Sequence, residues 1–261
     1  MRSLSIASTG MLAQQLNVEV ISNNIANMNT TGHKRQRAEF QDMLYQNLRR
    51  MGSQSSDNGN LVPVGIQIGT GVKAAAVYRI TEQGNLTSTA NAYDIAIQGR
   101  GFFRVLLPSG EDAYTRAGSF QVNEQGQIVT PDGYIVQPSI TIPQDATSVS
   151  INTSGQVEAK IAGQVTPQVV GQFDLATFYN EAGLDAQGGN LFLETAASGA
   201  PVIGIPGQTG VGTILQGFLE TSNVNAVTEI TSLITAQRAY EMNSKVISAS
   251  DEMLQTMTSL R

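Results

Sequence analysis

Covalent chemistry needs a nucleophile, a base or a set of metal ligands, and this chain offers few of each. Of its 261 residues none is Cys and only one, His33, is His. Thiolate nucleophiles, disulfides and sulfur-ligated zinc or iron–sulfur sites are excluded, and a multi-histidine metal site has no ligands. No metal, cofactor or enzymatic activity is expected. His33 stands between a glycine turn and a basic run and reads as a turn residue. Asp94 and the adjacent Glu111 and Asp112 lie near turn signals. Paired acids hydrolyse glycosides only at a fixed separation, and neighbours on a hairpin are ordinarily solvated. Gly99-Arg-Gly101-Phe-Phe-Arg104 lacks the third glycine of a dinucleotide fingerprint. Gly207-Gln-Thr-Gly210-Val-Gly212 lacks the Lys-Ser or Lys-Thr of a phosphate loop, so both stretches read as β-turns.

The net charge of −6 argues against a nucleic-acid partner. One stretch runs the other way, with Lys34, Arg35 and Arg37, then Arg49 and Arg50, against Glu39 and Asp42. The run from Lys34 to Arg37 has two readings, a solvated face or a contact with phosphate or an acidic surface. Charged residues make up only 14% of the chain, below the usual ~25%, so neutral Gln, Asn, Ser and Thr must cover much of the surface. The longest apolar runs, such as Ala74 to Tyr78, fall far short of the ~18 residues a membrane span needs. Ser3, Ser5, Ser8 and Thr9 interrupt any apolar signal-peptide region, which on that ground alone points to the cytosol.

Hydrophobic periodicity separates helical ends from a strand-and-turn centre. Alternating steps of three and four pick out Leu4, Ala7, Met11, Gln14, Val18, Ile21, Ile25 and Met28, an a/d seam of four heptads. The turn cluster Asn29-Thr-Thr-Gly32 should end that helix near Met28. The same walk near the other terminus gives Leu233, Ala236, Tyr240, Asn243, Ile247, Ser250, Leu254 and Met257. There Ala239, Val246, Met253 and Leu260 widen the stripe, so its apolar face should centre between the a and g rows. Asn223 and Asn225 are candidate caps for a helix starting between Ser222 and Ala226 and running almost to Arg261. Residues 34–72 read as a connecting stretch, with a basic helical start through Phe40, Leu44 and Leu48 and then a flexible Ser-, Asn- and Gly-rich loop from Gly52 to Gly59. Pro108-Ser-Gly110, Pro131-Asp-Gly133 and Gly188-Gly-Asn190 punctuate a β-rich centre. Within it Gln83-Gly-Asn-Leu86, Gln125-Gly-Gln-Ile128 and Ser154-Gly-Gln-Val157 recur at unequal spacing, which excludes a regular solenoid. The expected fold is α+β: a discontinuous terminal coiled-coil domain (1–33 and 222–261), the connector, and an all-β domain (73–221). A single amphipathic helix of this length is marginal in water and needs a partner. Pattern alone leaves two arrangements open, an intramolecular hairpin of the ends, or ends that also pair with neighbouring copies.

Ile21-Ser-Asn23-Asn24-Ile-Ala-Asn27 followed by Asn29-Thr-Thr31-Gly32-His33-Lys34 resembles the N-terminal signature of flagellar rod and hook proteins. Glu220-Thr-Ser-Asn223-Val-Asn225, with Ala236-Gln237-Arg238-Ala-Tyr240, resembles their C-terminal one. Gly99-Arg-Gly-Phe-Phe103, Tyr114-Thr-Arg-Ala-Gly-Ser-Phe120 and Gln216-Gly-Phe-Leu-Glu220 carry the likeness through the centre. His33 departs from the aromatic usual after that glycine. The opening Met1-Arg-Ser-Leu4, Arg37-Ala-Glu-Phe-Gln-Asp42 and the total length resemble the distal-rod branch, with proximal-rod paralogues nearest to it and hook proteins longer. The resemblance implies a structural subunit of a helical, hollow drive shaft crossing the periplasm. It implies a homopolymer, with proximal-rod proteins, the hook protein and the surrounding P- and L-ring proteins as partners. Export by the flagellar apparatus, without a cleaved signal, would replace the cytosolic expectation. A secreted β-rich polysaccharide-binding protein is the rival from another class, disfavoured by the absence of Trp.

Overall fold

The computed structural model describes residues 2–49, 51, 64–164 and 166–259. The loop expected at Gly52–Gly59, and Leu260 of the apolar stripe, lie outside the described residues. The fold is α+β, with two long terminal helices that pack together and a centre of antiparallel strands. It divides into two compact units, one of Met1–Ile25, Gln36–Tyr78 and Asn225–Arg261, the other of Ala26–Arg35 and Arg79–Val224.

In the first unit, helix α1 spans Arg2–Ala26 and helix α2 spans Ala226–Ser259. At 34 residues α2 is about 51 Å long. The Asn225 side-chain oxygen accepts the Val227 and Thr228 N–H groups at 3.0 and 3.3 Å, satisfying donors that the first turn leaves unpaired. Met28, expected as the last seam residue of the first helix, instead lies beyond its end in an exposed turn. That turn is closed by the Thr30 N–H on the Asn27 carbonyl at 3.2 Å.

The basic helical start expected after Lys34 is extended chain. Gln36–Asp42 pairs with Val72–Arg79, and Tyr45–Arg49 pairs antiparallel with Ile66–Gly69. The i, i+4 spacing of Phe40, Leu44 and Leu48 imitates a helix. The burial that decides has period two, with Gln36, Ala38 and Phe40 half-buried and Arg37 and Glu39 exposed between them. Helix α1 sets where this strand begins. The Asn24 side chain accepts the Gln36 N–H and donates to the Gln36 carbonyl, both at 2.8 Å, much as a neighbouring strand would.

The second unit holds a seven-stranded antiparallel sheet in the order Asp185–Gly188, Leu191–Leu193, Asp112–Thr115, Phe103–Leu106, Ile135–Gln137, Ile128–Val129, Gln121–Val122. A three-stranded sheet, Ala146–Ile151, Gln156–Ile161 and Gln168–Gln172, lies in the same unit. Successive side chains of a strand point to opposite faces, and here both faces are used. Phe103 enters the main core, edge-on to Phe120 at 5.0 Å, while Phe102 enters a second cluster with Tyr114 and Phe178. Burial pushes the Tyr114 phenol up to about 12, and the Glu194 and Asp112 carboxylates add to the rise.

Two of the three recurring Gly motifs are one hairpin turn used twice. The Asn123 side chain accepts the Gln125 and Gln127 N–H groups, and the Asn152 side chain accepts those of Ser154 and Gln156. Gly126 and Gly155 close the turns at φ 80° and 79°, which glycine adopts without a Cβ penalty. The third, at Gly84, is different. A Cβ there would collide with the Thr221 carbonyl, and the Gly84 N–H donates to Glu220.

Candidate assembly surfaces

The two helices touch along a row that is small and polar. Ser3 meets Ser250 at 3.3 Å, and a Cβ on Gly10 would lie 2.9 Å from the Asn243 amide nitrogen. Asn24 donates to the Glu229 carboxylate at 3.1 Å. These pairs recur at intervals of seven and run antiparallel, so Asn17 falls opposite the buried Ala236 in the same register. On α1 the row Ser3, Gly10, Asn17 and Asn24 is one residue ahead of Leu4, Met11, Val18 and Ile25. On α2 the d row is the covered one, with Ala236 and Ser250 buried and Asn243 half-buried between them. The g-row residues Val246 and Met253 are exposed, contrary to a face centred between a and g.

The expected seam is distributed accordingly. Ala7, Ile21 and Ala236 are buried. Leu4, Met11, Val18, Ile25, Leu233, Ile247 and Leu254 are half-buried, and Tyr240 and Met257 are exposed. A second face of α1 carries Thr9, Ala13, Val20 and Asn24, spaced four, seven and four. The Val72 N–H donates to the Thr9 hydroxyl at 3.3 Å, so the connecting strands are held at both ends of this row.

Much apolar surface in the first unit is left bare. Leu44 is 86% exposed, and Tyr45, Leu48, Ile66 and Ile68 of the adjoining ribbon are exposed too. A two-stranded ribbon with apolar groups in water is not independently stable. Beside the helix pair runs a groove of about 630 Å³ lined by Gln15, Val18, Glu19, Gln237, Tyr240 and Glu241.

The second unit is closed by an ion cluster. Glu220, 1% exposed, receives Lys34 Nζ at 2.6 Å on one oxygen and Arg116 Nε at 2.6 Å on the other. Arg116 also donates to the Gly101, Ile97 and Gly99 carbonyls, and Lys34 to the Glu82 carbonyl. Burial pushes the Glu220 carboxyl up, but Arg116 and Lys34 outweigh it and hold the group below the ordinary carboxylate range. Burial pulls Lys34 down, and Glu220 restores only part of the fall. Lys34, the first residue of the basic run, is thus spent on an internal carboxylate and lies on no solvated face, whereas Arg37 is exposed. His33 is half-buried, and burial, then the nearby Arg79 charge, lowers its pKa.

Comparison with known proteins places this geometry. Residues 4–34 match the family model described as flagella basal body rod protein, and residues 215–260 that of the flagellar basal body rod FlgEFG protein C-terminal. Residues 96–159 match the flagellar hook protein FlgE/F/G D1 domain. The flagellar basal-body rod protein FlgG of Caulobacter vibrioides is 66% identical over the whole of both chains. That of Agrobacterium fabrum is 54% identical over 97% of each, and that of Bacillus subtilis 40% identical over 100% of this chain and 99% of its own. The chain belongs to the FlgG family of flagellar basal-body rod proteins. Its role is structural and not enzymatic, as a subunit of the flagellar distal rod.

The family-signature residues now have definite positions. Gly32, at φ +69°, brings its N–H to the Glu220 carbonyl at 2.8 Å, where a Cβ would meet the Arg116–Ala117 backbone. Asn27 accepts the Thr30 hydroxyl at 3.1 Å, Thr31 is half-buried beside it in sequence, and Asn23 is exposed. Asn223 accepts the Arg35 N–H at 2.7 Å and donates to the Ile80 and Glu82 carbonyls. Asn24 and Asn225 organise the helix pair, whereas Gln237 and Arg238 are exposed. Sequence reasoning missed the Lys34–Glu220–Arg116 cluster and the polar helix row. The signal for the first was an acid and two bases inside three recognised motifs, and for the second a seven-residue repeat of Ser, Gly and Asn one step from the apolar seam. Among the described residues no group of acidic or imidazole side chains could hold a metal ion, and no helix is long and apolar enough to cross a membrane.

Proposed function

We propose that copies of this chain stack helically into a hollow shaft that crosses the periplasm and transmits torque from motor to hook. In this reading the terminal helices (1–33 and 222–261) form the inner layer, with the seam residues Leu4 to Met28 and Leu233 to Met257 as its contacts. Residues 34–72 bridge neighbouring copies and residues 73–221 form the outer layer. The supporting observation is an imbalance of burial. The second unit closes its own core, whereas the helices and the ribbon leave Leu44, Val227, Met242 and Met257 in water. Contacts of that kind, made head to tail between copies, extend into a filament. Partners are proximal-rod proteins below, the hook protein above and the P- and L-ring proteins around the shaft. Delivery is by the flagellar export apparatus without a cleaved signal.

Limited proteolysis with mass spectrometry before and after assembly tests this. The expected result is a monomer trimmed to a core near residues 73–217, with both helices and the ribbon protected in the polymer. Equal protection in both states would overturn it.

A further inference from the structure

We propose that the groove between the helices is the seat for one ridge of α2 from a second copy of this chain, a contact that rests on the polymer reading above. The groove is lined by the apolar groups of Val18 and Tyr240 and by the carboxylates of Glu19 and Glu241. On α2, Arg238, Met242 and Val246 follow one another at i, i+4 and i+8 and form an exposed ridge. Lys245 lies beside it. Neither Arg238 nor Glu241 makes an ion pair or side-chain hydrogen bond with another described residue.

Charge and shape match. A guanidinium at the head of the ridge meets the carboxylates that line the groove, and such pairs are strong once sheltered from water. Met242 is an unbranched, adaptable side chain suited to filling an irregular apolar channel. The i, i+4 row is also the ridge that helices most often insert into a facing groove. Direction follows from the helical period. At 3.6 residues per turn Met242, the middle of the ridge, lies around the α2 axis roughly 140° from Gln237, roughly 160° from Tyr240 and roughly 100° from Glu241. Groove and ridge therefore face opposite sides of the helix pair. A copy seated by its ridge presents its own groove outward, so the contact is heterologous and repeats instead of closing a dimer.

The absence of Cys makes the test clean. Gln15→Cys chains and Val246→Cys chains, one of them size-tagged, are mixed under assembly conditions and oxidised. A mixed disulfide dimer is expected, without dimers between two Gln15→Cys chains. Arg238→Glu should cut the sedimenting polymer by about tenfold, and adding Glu19→Arg and Glu241→Arg to the same chain should restore it. Polymers that form without the mixed disulfide, Gln15→Cys chains that cross-link to each other, or Arg238→Glu chains that assemble at the parental level would each overturn the proposal. A parental chain that stays monomeric at every concentration overturns the polymer reading itself, and sedimentation separates that failure from the others.

Discussion

Replacing Glu220 by Gln keeps the shape of the cluster and removes its only negative charge. In the protein the carboxylate faces two buried cations and the Gly84 N–H. A glutamine oxygen can still accept from Gly84, and Arg116 keeps its three carbonyl acceptors. Lys34 Nζ, which shares that oxygen with Gly84, keeps it and the Glu82 carbonyl, but both cations lose the charge they face and Arg116 Nε loses its acceptor. Breaking a buried ion pair by removing one partner costs about 3–5 kcal/mol, chiefly through the charge left unpaired. The retained hydrogen bonds place this variant near the lower end, about 3 kcal/mol. For a unit of this size each kcal/mol moves Tm by about 2–4 °C, so calorimetry should show the second unit melting about 6–12 °C lower. The pH dependence carries a further sign. Because the native pKa of Glu220 is depressed, its stabilisation is fully present above the ordinary carboxylate value of about 4.3 and disappears as pH falls through the native value. Parent and variant should therefore converge in acid and diverge toward neutrality. A cost below about 1 kcal/mol at pH 7, or a gap that widens in acid, would refute the view that this cluster holds the unit closed.

Gly10→Leu would force a side chain into Asn243, and overpacking of about 1–3 kcal/mol should appear as earlier loss of helix in far-ultraviolet circular dichroism. Asn225→Ala removes the cap of α2 and should cost about 1 kcal/mol, with faster amide exchange confined to Val227, Thr228 and the first turn. Asp at buried Ile21 or at Ile247 should abolish sedimentable polymer while the second unit keeps its melting transition.

The helices were legible because four heptads of apolar residues leave little else for the chain to be, and the Asn29-Thr-Thr-Gly32 cluster marked the end of the first, which stops at Ala26, just short of the Met28 expected. The connector was misread for a physical reason. Phe40, Leu44 and Leu48 satisfy a helical spacing, but helix propensity and periodicity are local, whereas the pairing of Gln36–Asp42 with Val72–Arg79 is set from some forty residues away and by Asn24 on the preceding helix. The Lys34–Glu220–Arg116 cluster has the same character, because its members are separated by 186 and 104 residues and no window contains two of them.

The helix pair shows why an apolar stripe does not by itself identify the face that a chain buries against itself. Had Leu4, Met11, Val18 and Ile25 met Leu233, Ile247 and Leu254 head-on, the chain would have covered its best apolar surface internally. Ser3, Gly10 and Asn24 instead meet Ser250, Asn243 and Glu229. Small and hydrogen-bonded side chains bring the axes close and fix one register, in the way a single buried polar residue specifies pairing in coiled coils. The large side chains are thereby turned to the flanks, half-covered, where another copy can complete their burial. A subunit built to polymerise needs this division, with polar contacts setting which helices pair within the chain and the apolar flanks left for the chain that follows.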